Sequence, residues 1–355
     1  MKSKNIIIAS SGTGGHIYPG IALAEEFKNK GYDPIFFISN NPISSEILKN
    51  SQFKYIEFNI SGMPRKISFK FLMFLIKTKF SLFKALKQII KLNPLAIIGT
   101  GGYMTIPVLI AAKILSKKIF IHEQNVIPGK ANTLLNKIVD KTFVSLPSFK
   151  GNLKNAIVSG CPIRKDILLV SKEKAVLELK LKNGIFTILV FGGSLGATKF
   201  NDIICRVLLD LYIKDKFQVL HIVGLKSYIK IQENVKNNPD YRVFDYMHNI
   251  ANAYAASNIV ICRSGASTIL ELKALEKPAI LVPYPYATNN HQYWNAKEIE
   301  KNGKVTIIEE KNLTEENLNK AIYTIKKNIR NDAVKNTIKF PQELIVNEIL
   351  KCIKS

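Results

Sequence analysis

Residues 6–27, IIIASSGTGGHIYPGIALAEEF, contain a short apolar run, a glycine-rich turn and a helical pattern in direct succession. A buried strand that ends in glycines and continues as a helix is typical of a βαβ unit in a parallel sheet. The alternation continues with predicted strands at residues 34–38, 96–98 and 119–121, and with a helix from about Ile106. The sequence therefore predicts an α/β domain with its ligand loops at the carboxyl ends of the strands.

A second series of strands and glycine loops begins about 180 residues after the first. Residues 185–191 form a strong strand pattern that runs into GGSLGA at residues 192–197. Further buried strands are predicted at residues 218–223, 259–262 and 279–282. Because a chain of 355 residues has the length of about two domains, this repetition predicts two similar α/β domains.

The two predicted domains join near GCPIRKD, residues 160–166. We expect an N-terminal domain over residues 1–163 and a C-terminal domain over residues 164–340. The segment 341–355 contains a last predicted helix, which could return to either domain. We assign it to the N-terminal one.

Composition and missing motifs argue against several protein classes. No window approaches about 18 uninterrupted apolar residues, so no membrane-spanning helix is expected. The apolar run after the basic start is shorter than the roughly 7–15 residues of a secretory signal. The four cysteines form no CxxC pair, which favours reduced cytosolic thiols over a disulfide scaffold or zinc site. No Asp-x-Asp pair occurs, so we assign no metal, and we expect no cofactor.

The formal net charge of +24 is concentrated in one part of the chain. Of the 51 basic residues 45 are lysine, so a general lysine bias accounts for part of the excess. Between Glu57 and Glu123, however, 65 consecutive positions contain eleven basic residues and no acidic one. A lysine bias does not by itself remove every carboxylate from such a stretch. This stretch is therefore a candidate contact surface for an anionic partner.

Within that stretch, residues 67–92 combine lysines with too many large apolar residues for one narrow core stripe. Lysine beside phenylalanine and leucine is typical of an interfacial helix on an anionic membrane surface. The alternative is a core-packed helix with a solvated lysine face. Nucleic acid is not expected, because the segment lacks the aromatic-plus-arginine pattern of single-strand binders. The candidate membrane patch consists of Lys70, Phe71, Leu75, Lys77, Lys79, Phe80, Phe83 and Lys84.

Three glycine loops follow predicted strands, at residues 12–15, 99–102 and 192–196. Glycine lets backbone N–H groups approach phosphate or sugar oxygens at a helix N-terminus. None of the loops has the G-x-G-x-x-G spacing or a GK[ST] ending, which argues against a dinucleotide fingerprint and a P-loop. Tight packing explains a single loop of this kind, but three in one chain favour ligand binding.

Polar residues at the predicted strand ends indicate the chemistry. His16 follows the first glycine turn and is the obvious candidate base near neutral pH, with helix capping as the alternative. HEQN, residues 122–125, ends a buried strand. CRSGASTILE supplies Arg263 and Glu271 at a helix start, where arginine suits a diphosphate or a carboxylate. A carboxylate there suits ribose hydroxyls, with a surface glutamate as the alternative for Glu271. NNHQYWNA, residues 289–296, offers amides and aromatic rings for a sugar.

Taken in order, these motifs resemble those of the MurG-type glycosyltransferases of peptidoglycan synthesis. The match comprises GTGGHIYPG (12–20), GTGGYMTIP (99–107), HEQN (122–125), GCPIR (160–164), GGSLGA (192–197), CRSGASTILE (262–271) and HQYWNA (291–296). The resemblance implies a GT-B fold, with two Rossmann-like parallel-sheet domains facing across a cleft. It also implies inverting transfer of N-acetylglucosamine from UDP-N-acetylglucosamine to lipid I, undecaprenyl-diphospho-N-acetylmuramoyl-peptide, to give lipid II.

The resemblance also implies roles for residues of the N-terminal domain, which would be the acceptor and membrane side. Thr13, Gly14 and Gly15 would lie by the donor diphosphate and the acceptor. Asn125 would contact the donor sugar. His16 would be the general base, or a group that positions the acceptor.

In the C-terminal domain, the resemblance implies a UDP-sugar donor site. Arg164 and Ser194 would hold the diphosphate side, and the backbone of Met247 would contact uracil. Glu271 would bind ribose, and Gln292 would bind the sugar hydroxyls. The residues that would wrap the phosphates are Gly265, Ala266, Ser267, Thr268, Ile269 and Leu270.

The implied location is peripheral, on the cytoplasmic face of the inner membrane, with an anionic membrane surface as partner and no nucleic acid. Two alternatives remain open from the sequence. One is another UDP-sugar enzyme of the same fold, such as a diacylglycerol glycosyltransferase or a UDP-sugar epimerase. The other is a non-catalytic UDP-sugar-binding module.

Overall fold

A computed structural model describes most of the chain: residues 3–12, 14–60, 62–64, 66, 68–147, 149–151, 153–193, 197–301, 303–329 and 340–354. The chain divides into two compact units. Unit 1 comprises Met1–Arg164 and Lys339–Ser355, and unit 2 comprises Lys165–Ile338.

Unit 1 contains a seven-stranded sheet in the order β3-β2-β1-β4-β5-β6-β7, and all its neighbouring strands are parallel. Its elements are β1 (Asn5–Ser10), α1 (Gly14–Asn29), β2 (Asp33–Ser39), α2 (Pro42–Lys49), β3 (Lys54–Phe58), α3 (Phe69–Leu92), β4 (Ala96–Gly101), α4 (Thr105–Ile114), β5 (Lys118–Glu123), α5 (Lys130–Leu135), β6 (Lys141–Val144) and β7 (Ala156–Val158).

Unit 2 contains a six-stranded sheet, β10-β9-β8-β11-β12-β13, which is also parallel throughout. Its elements are α6 (Lys165–Leu169), α7 (Lys172–Glu178), β8 (Thr187–Phe191), α8 (Thr198–Lys214), β9 (Gln218–Ile222), α9 (Leu225–Val235), β10 (Tyr241–Phe244), α10 (Ile250–Ala256), β11 (Ile259–Cys262), α11 (Ala266–Ala274), β12 (Ala279–Leu281), α12 (His291–Glu300), β13 (Val305–Ile307) and α13 (Glu315–Ile329). The last helix of the chain is α14 (Pro341–Lys354).

The strands of unit 1 are apolar on both faces because helices cover both sides of the sheet. Along β1, Ile7 and Ala9 pack with α3 and α4, whereas Ile6 and Ile8 pack with α1 and α14. The buried face of α14 contributes Ile345 to that second core. These two layered parallel sheets confirm the predicted α/β class and its two Rossmann-like halves.

The order of strands determines where each sheet can bind a ligand. The chain passes from β1 to β3 on one side of β1 and then returns to β4 on the other side. The loops after β1 and β4 therefore diverge and leave a crevice at the carboxyl ends of the strands. The same reversal separates β8 from β11 in unit 2. The glycine loops after β1 and β4 lie at the switch point of unit 1, and the motif around Arg263 follows β11 at that of unit 2.

The basic apolar segment forms one helix, α3, of 24 residues. Its buried face is narrow and consists of Phe74, Ser81, Ala85 and Ile89. Across the described ranges, no helix combines the length and apolar character needed to cross a membrane.

Candidate active site

His16 lies in the first turn of α1, directly after the glycine turn that leaves β1. The hydroxyl of Thr100 donates to the carbonyl oxygen of His16 at 2.9 Å. The ring nitrogen Nδ1 of His16 lies 3.3 Å from Oε1 of Gln124. The backbone and ring of His16 are thus both held by residues at the ends of neighbouring strands. This arrangement places the candidate base at the carboxyl edge of the sheet, as the sequence predicted.

The glycines at the end of β4 leave room for the His16 ring. A Cβ atom built on Gly101 would lie 2.6 Å from Nδ1 of His16, and φ at Gly101 is +115°. A Cβ on Gly102, where φ is +86°, would lie 2.1 Å from Oγ of Ser11. Both positions therefore exclude side chains by space and by backbone conformation. The GTGG sequence of this loop is a packing requirement of the site itself.

HEQN begins within β5 and continues into the loop behind His16. The side chain of Gln124 is buried; its Nε2 donates to the carbonyl oxygen of Thr100 at 2.7 Å and lies 3.1 Å from Nδ1 of His122. His122 is fully buried, and its Nε2 lies 3.2 Å from both the carbonyl oxygen of Gly160 and Oγ of Ser145. Burial lowers the pKa of His122 to about 4, so its ring is neutral near pH 7.

The buried carboxylate of Glu123 fixes the loop that carries Asn125. Its Oε1 accepts from the backbone N–H and the side-chain Nδ2 of Asn125, at 2.9 and 3.1 Å. Its Oε2 accepts from the N–H of Gly129 at 2.9 Å and from Nδ2 of Asn132 at 2.8 Å. The HEQN motif predicted a polar group but no separate role for Glu123 or Gln124. Two partners of Gln124 lie 24 and 108 residues away, and those of Glu123 lie nearby, in the loop and helix that follow β5.

Arg164 ends unit 1 and lies beside α1. Its guanidinium carbon is 4.2 Å from the centroid of the Tyr18 ring, a cation–π contact. The Tyr18 ring in turn lies against Gly14, where an added Cβ would be 2.8 Å from the ring. This stack places Arg164 near the N-terminus of α1. Thr13, which was predicted to lie in the same turn as Gly14 and Gly15, is outside the described residues, as is Ser194 in unit 2.

The N-terminus of α11 in unit 2 has the geometry of an anion-binding site. The first helical hydrogen bond is donated by the N–H of Ile269 to the carbonyl oxygen of Gly265. The amides of Ala266, Ser267 and Thr268 therefore have no acceptor within the helix, and the helix dipole favours a negative charge beside them. This geometry supports the predicted phosphate contacts over residues 265–268.

The C-terminal end of the predicted phosphate-binding segment, residues 265–270, lies inside α11. Ile269 is 0% exposed and Leu270 is 5% exposed, and both lie within α11. Their side chains pack into the core, and their amides belong to the helix. The contact of Ile269 and Leu270 with the phosphates stays a prediction, and the described geometry favours residues 265–268 for it.

Glu271 is partly buried on α11, and its Oε2 accepts from the hydroxyl of Tyr254 at 2.9 Å. Tyr254 is itself fully buried on α10. A carboxylate anchored through one oxygen has a restricted orientation, which suits it to hold a pair of ribose hydroxyls. No local motif indicated Tyr254, since it lies 17 residues earlier on another helix.

Arg263 has a different role from the predicted diphosphate contact. Its Nη1 donates to the carbonyl oxygens of Val282 and Pro283, at 3.1 and 3.3 Å, and its guanidinium pairs with Glu310. The guanidinium also lies 5.6 Å from the centroid of the Tyr284 ring. Because this buried arginine is already bound by protein groups, we assign it to holding the loop after β12.

The same loop positions Gln292. The N–H of Tyr284 donates to Oε1 of Gln292 at 3.0 Å, which leaves the amide nitrogen as the donating end of that side chain. Met247 lies in the loop after β10, between Tyr246 and His248, whose rings are 4.8 Å apart. In the described part of the chain, no cluster of three or more His, Cys, Asp or Glu side chains is suited to hold a metal ion.

The exposed face of α3 is strongly apolar. Phe69, Phe80 and Phe83 are 76%, 70% and 57% exposed, and Leu75 is 48% exposed. Of the predicted membrane patch, Phe71 is half-buried against Phe74, and the ring centroids are 6.4 Å apart.

Lys84 differs from the other lysines of the patch. Its Nζ donates to the carbonyl oxygen of Glu57 at 2.6 Å and lies 5.0 Å from the centroid of the Phe58 ring. This lysine therefore contacts its own unit, although it is exposed, as are Lys70 and Lys79; Lys77 is partly buried.

Comparisons with known proteins identify the family. The family models for the glycosyltransferase family 28 N-terminal and C-terminal domains match residues 6–144 and 187–349. A relative from Halothermothrix orenii is 36% identical over 89% of each chain, and one from Desulforamulus reducens is 34% identical over 98% of this chain and 97% of its own. Each is named UDP-N-acetylglucosamine–N-acetylmuramyl-(pentapeptide) pyrophosphoryl-undecaprenol N-acetylglucosamine transferase.

Solved structures share the fold at lower identity. Acinetobacter baumannii MurG has a TM-score of 0.72 at 23% identity and covers 98% of this chain and 99% of its own. The UDP-GlcNAc 2-epimerase of Neisseria meningitidis has a TM-score of 0.68 at 16% identity, over 98% of this chain and all of its own. Fold alone therefore does not separate transferase from epimerase, whereas the sequence relatives do. On those relatives, and as its ordered motifs predicted, the chain belongs to the MurG-type family of UDP-N-acetylglucosamine–N-acetylmuramyl-(pentapeptide) pyrophosphoryl-undecaprenol N-acetylglucosamine transferases.

Proposed function

We propose that this protein transfers N-acetylglucosamine from UDP-N-acetylglucosamine to lipid I and thereby forms lipid II. The observation that carries the proposal is His16, held by Thr100 and Gln124 at the carboxyl edge of the unit 1 sheet. Gly101 leaves the space that the His16 ring occupies at this edge. In the family to which the chain belongs, the required chemistry is removal of a proton from an acceptor hydroxyl.

The proposed reaction is a direct displacement. The acceptor hydroxyl attacks the anomeric carbon, a new glycosidic bond forms, and the bond from that carbon to the UDP oxygen breaks. The hydroxyl proton passes to His16, and UDP leaves with the bonding electron pair. Attack from the face opposite the leaving group inverts the anomeric carbon.

The donor is proposed to bind unit 2. The amides of residues 266–268 and the α11 dipole stabilise the charge that develops on the departing diphosphate. Glu271 binds ribose, Gln292 donates to the sugar, and the backbone of Met247 contacts uracil. From unit 1, Gly14, Gly15, Asn125 and Arg164 contribute to the diphosphate, sugar and acceptor contacts.

One assay separates the proposal from its alternatives. Radiolabelled UDP-N-acetylglucosamine is incubated with a lipid I analogue, and labelled lipid product is expected. An epimerase would convert the donor without any acceptor, and a binding module would retain the donor unchanged. A glycolipid synthase would label diacylglycerol instead of lipid I.

Glu271→Ala is expected to raise the KM for the donor by roughly 10–100-fold, because a hydrogen bond to a charged group contributes about 1.5–3 kcal/mol. Tyr254→Phe is the matched variant, since it removes only the hydroxyl that anchors Glu271. It is expected to raise the donor KM by about threefold, in line with the loss of one ordinary hydrogen bond. An unchanged donor KM in Glu271→Ala would refute the ribose contact.

We further propose that the exposed face of α3 docks peripherally on the cytoplasmic face of the membrane, where anionic lipids attract it. Each lysine near an anionic surface contributes about 1 kcal/mol, and exposed phenylalanines add apolar burial. Lys70, Lys77 and Lys79 supply charge beside Phe80 and Phe83. A packed helix with only a solvated lysine face would not leave such large rings in water.

Replacement of Phe80 and Phe83 by serine is expected to weaken binding to anionic vesicles by about tenfold or more, because two aromatic side chains lose their apolar burial. Cosedimentation with vesicles measures the bound fraction. The matched control is serine at Leu225 and Ile229 on α9, which are 81% and 82% exposed in unit 2. Equal loss in both double variants, or none in either, would refute docking by α3.

A further inference from the structure

Behind His16, the interior of unit 1 contains an unbroken chain of polar side chains. It runs from Nδ1 of His16 to Oε1 of Gln124 at 3.3 Å, and from Nε2 of Gln124 to Nδ1 of His122 at 3.1 Å. It ends where Nε2 of His122 meets the carbonyl oxygen of Gly160 at 3.2 Å. Strands β4 and β5 are adjacent and parallel, and Gln124 directly follows β5, with its Nε2 2.7 Å from the carbonyl oxygen of Thr100. Buried polar chains of this kind persist only when donors and acceptors alternate correctly.

A backbone carbonyl group determines which way the hydrogen bonds between these side chains run. Nε2 of Gln124 lies 2.7 Å from the oxygen of Thr100, and a carbonyl oxygen can only accept a hydrogen bond. The amide nitrogen of Gln124 must therefore be at this end, and its oxygen must face His16. An amide oxygen is also only an acceptor, so Nδ1 of His16 carries a proton. In a neutral imidazole, the lone pair is then on Nε2.

The hydrogen bonds around His122, at the other end of this group of side chains, require the same orientation of the Gln124 amide. The second hydrogen on Nε2 of Gln124 requires an acceptor at Nδ1 of His122, which only a neutral ring provides. The Nε2 proton of His122 then donates to the oxygen of Gly160, with Oγ of Ser145 as a second neighbour. Because burial lowers the pKa of His122 to about 4, this neutral tautomer persists across the neutral pH range.

We propose that Gln124 is a positioning residue that selects the tautomer of His16, with His122 and the carbonyl oxygen of Thr100 locking its amide. The catalytic consequence rests on the proposed function: only this tautomer presents Nε2 as the base. In Ser-His-Asp enzymes a carboxylate holds the corresponding nitrogen. Here a neutral amide orients the ring without placing a negative charge next to it.

The first experiment determines the tautomer directly. The protein is labelled with ¹⁵N-histidine, and long-range ¹H–¹⁵N spectra distinguish protonated from unprotonated ring nitrogens. The chain has only five histidines, and loss of one signal set in His16→Asn assigns His16. We expect a protonated Nδ1 and an unprotonated Nε2 on His16. A protonated Nε2 on the neutral ring would overturn the proposal.

The second experiment uses Gln124→Met, which keeps the side-chain length and removes the acceptor. The kcat for lipid product is expected to fall roughly 10–100-fold, as for a misplaced catalytic group, while the donor KM stays within about twofold. Because burial favours the neutral form of a carboxyl group, Gln124→Glu places a protonated carboxyl there, whose hydroxyl can donate to the carbonyl oxygen of Thr100 while its other oxygen accepts from Nδ1 of His16. It is expected to recover at least about fivefold in kcat over Gln124→Met and to keep the Nδ1 proton.

The matched control is Gln342→Met. Gln342 is a buried glutamine of the same unit, and it bonds only to the backbone of Ile163 among the contacts described for its amide. Its kcat is expected to stay within about twofold of the original, since no catalytic group depends on it. Equal losses in Gln124→Met and Gln342→Met, or in Gln124→Met and Gln124→Glu, would overturn the proposal in favour of packing. If the original protein makes no lipid product, the proposed function fails, yet the spectra still determine the tautomer.

Discussion

His16→Ala is expected to reduce the kcat for lipid II formation by roughly 10²–10⁴-fold, the usual contribution of a positioned general base. The reason is that proton removal from the acceptor hydroxyl would then fall to water. Donor binding should be nearly unchanged, because none of the proposed contacts to uracil, ribose, diphosphate or sugar is made by His16. Steady-state kinetics with a lipid I analogue measure kcat, and titration with UDP-N-acetylglucosamine measures donor affinity.

A second substitution separates a base from a group that only positions the acceptor. His16→Asn keeps a side-chain amide that can still donate to Oε1 of Gln124 but cannot accept a proton at neutral pH. A base role predicts that the asparagine variant is as slow as the alanine variant. Recovery of most activity in His16→Asn would assign His16 to positioning, and full activity in His16→Ala would remove it from the mechanism.

Glu123→Ala is expected to lower the free energy of unfolding by about 3–5 kcal/mol, since donors on Asn125, Gly129 and the buried Asn132 all lose the same charged acceptor. The loop that carries Asn125 should then lose its fixed conformation, and kcat/KM should fall with it. Urea unfolding of the alanine variant, followed by circular dichroism, measures the stability change.

Glu123→Gln provides the matched comparison. It keeps the shape of the side chain and one acceptor oxygen, but places an amide against one pair of donors. We expect it to lose about 1–3 kcal/mol, the cost of leaving buried donors unsatisfied, which is less than the alanine variant loses. If both variants were as stable as the original protein, Glu123 would not hold this loop.

Local patterns predicted the inner strands of both sheets, whereas the strands toward the sheet edges, β3, β6, β7, β10 and β13, were not predicted. The predicted strand at residues 34–38 is β2 (Asp33–Ser39), and the last predicted helix is α14 (Pro341–Lys354). Strand boundaries were less accurate at the glycine loops. The strand predicted to end at residue 98 continues to Gly101, because Gly99 pairs with Ile121 of β5. Glycine interrupts the apolar pattern in the sequence, but a partner strand keeps its backbone in the ladder.

The candidate site, like the fold, contains some features that are local in the sequence and others that are not. The positions of His16, Glu271 and Gln292 at strand or helix ends follow from short segments of sequence, because a βα turn is a local structure. The supports of these residues are not local: Gln124 lies 108 residues from His16, and Tyr254 lies 17 residues from Glu271 on another helix. Arg263 is the opposite case. Its local motif suggested a contact with a ligand, but its pairing with the distant Glu310 is a contact within the protein.

The sequence alone therefore established the α/β class, the repeated domain pattern, the family, and which turns carry the chemistry. These properties depend on periodicity and on residue types at fixed spacing. The tertiary structure decided which face of α3 is exposed, which carboxylates are anchored, and which nitrogen of His16 bears the proton. The physical reason is that a hydrogen-bond direction depends on every donor and acceptor packed around a group, and folding brings those groups from distant strands to one edge of the sheet.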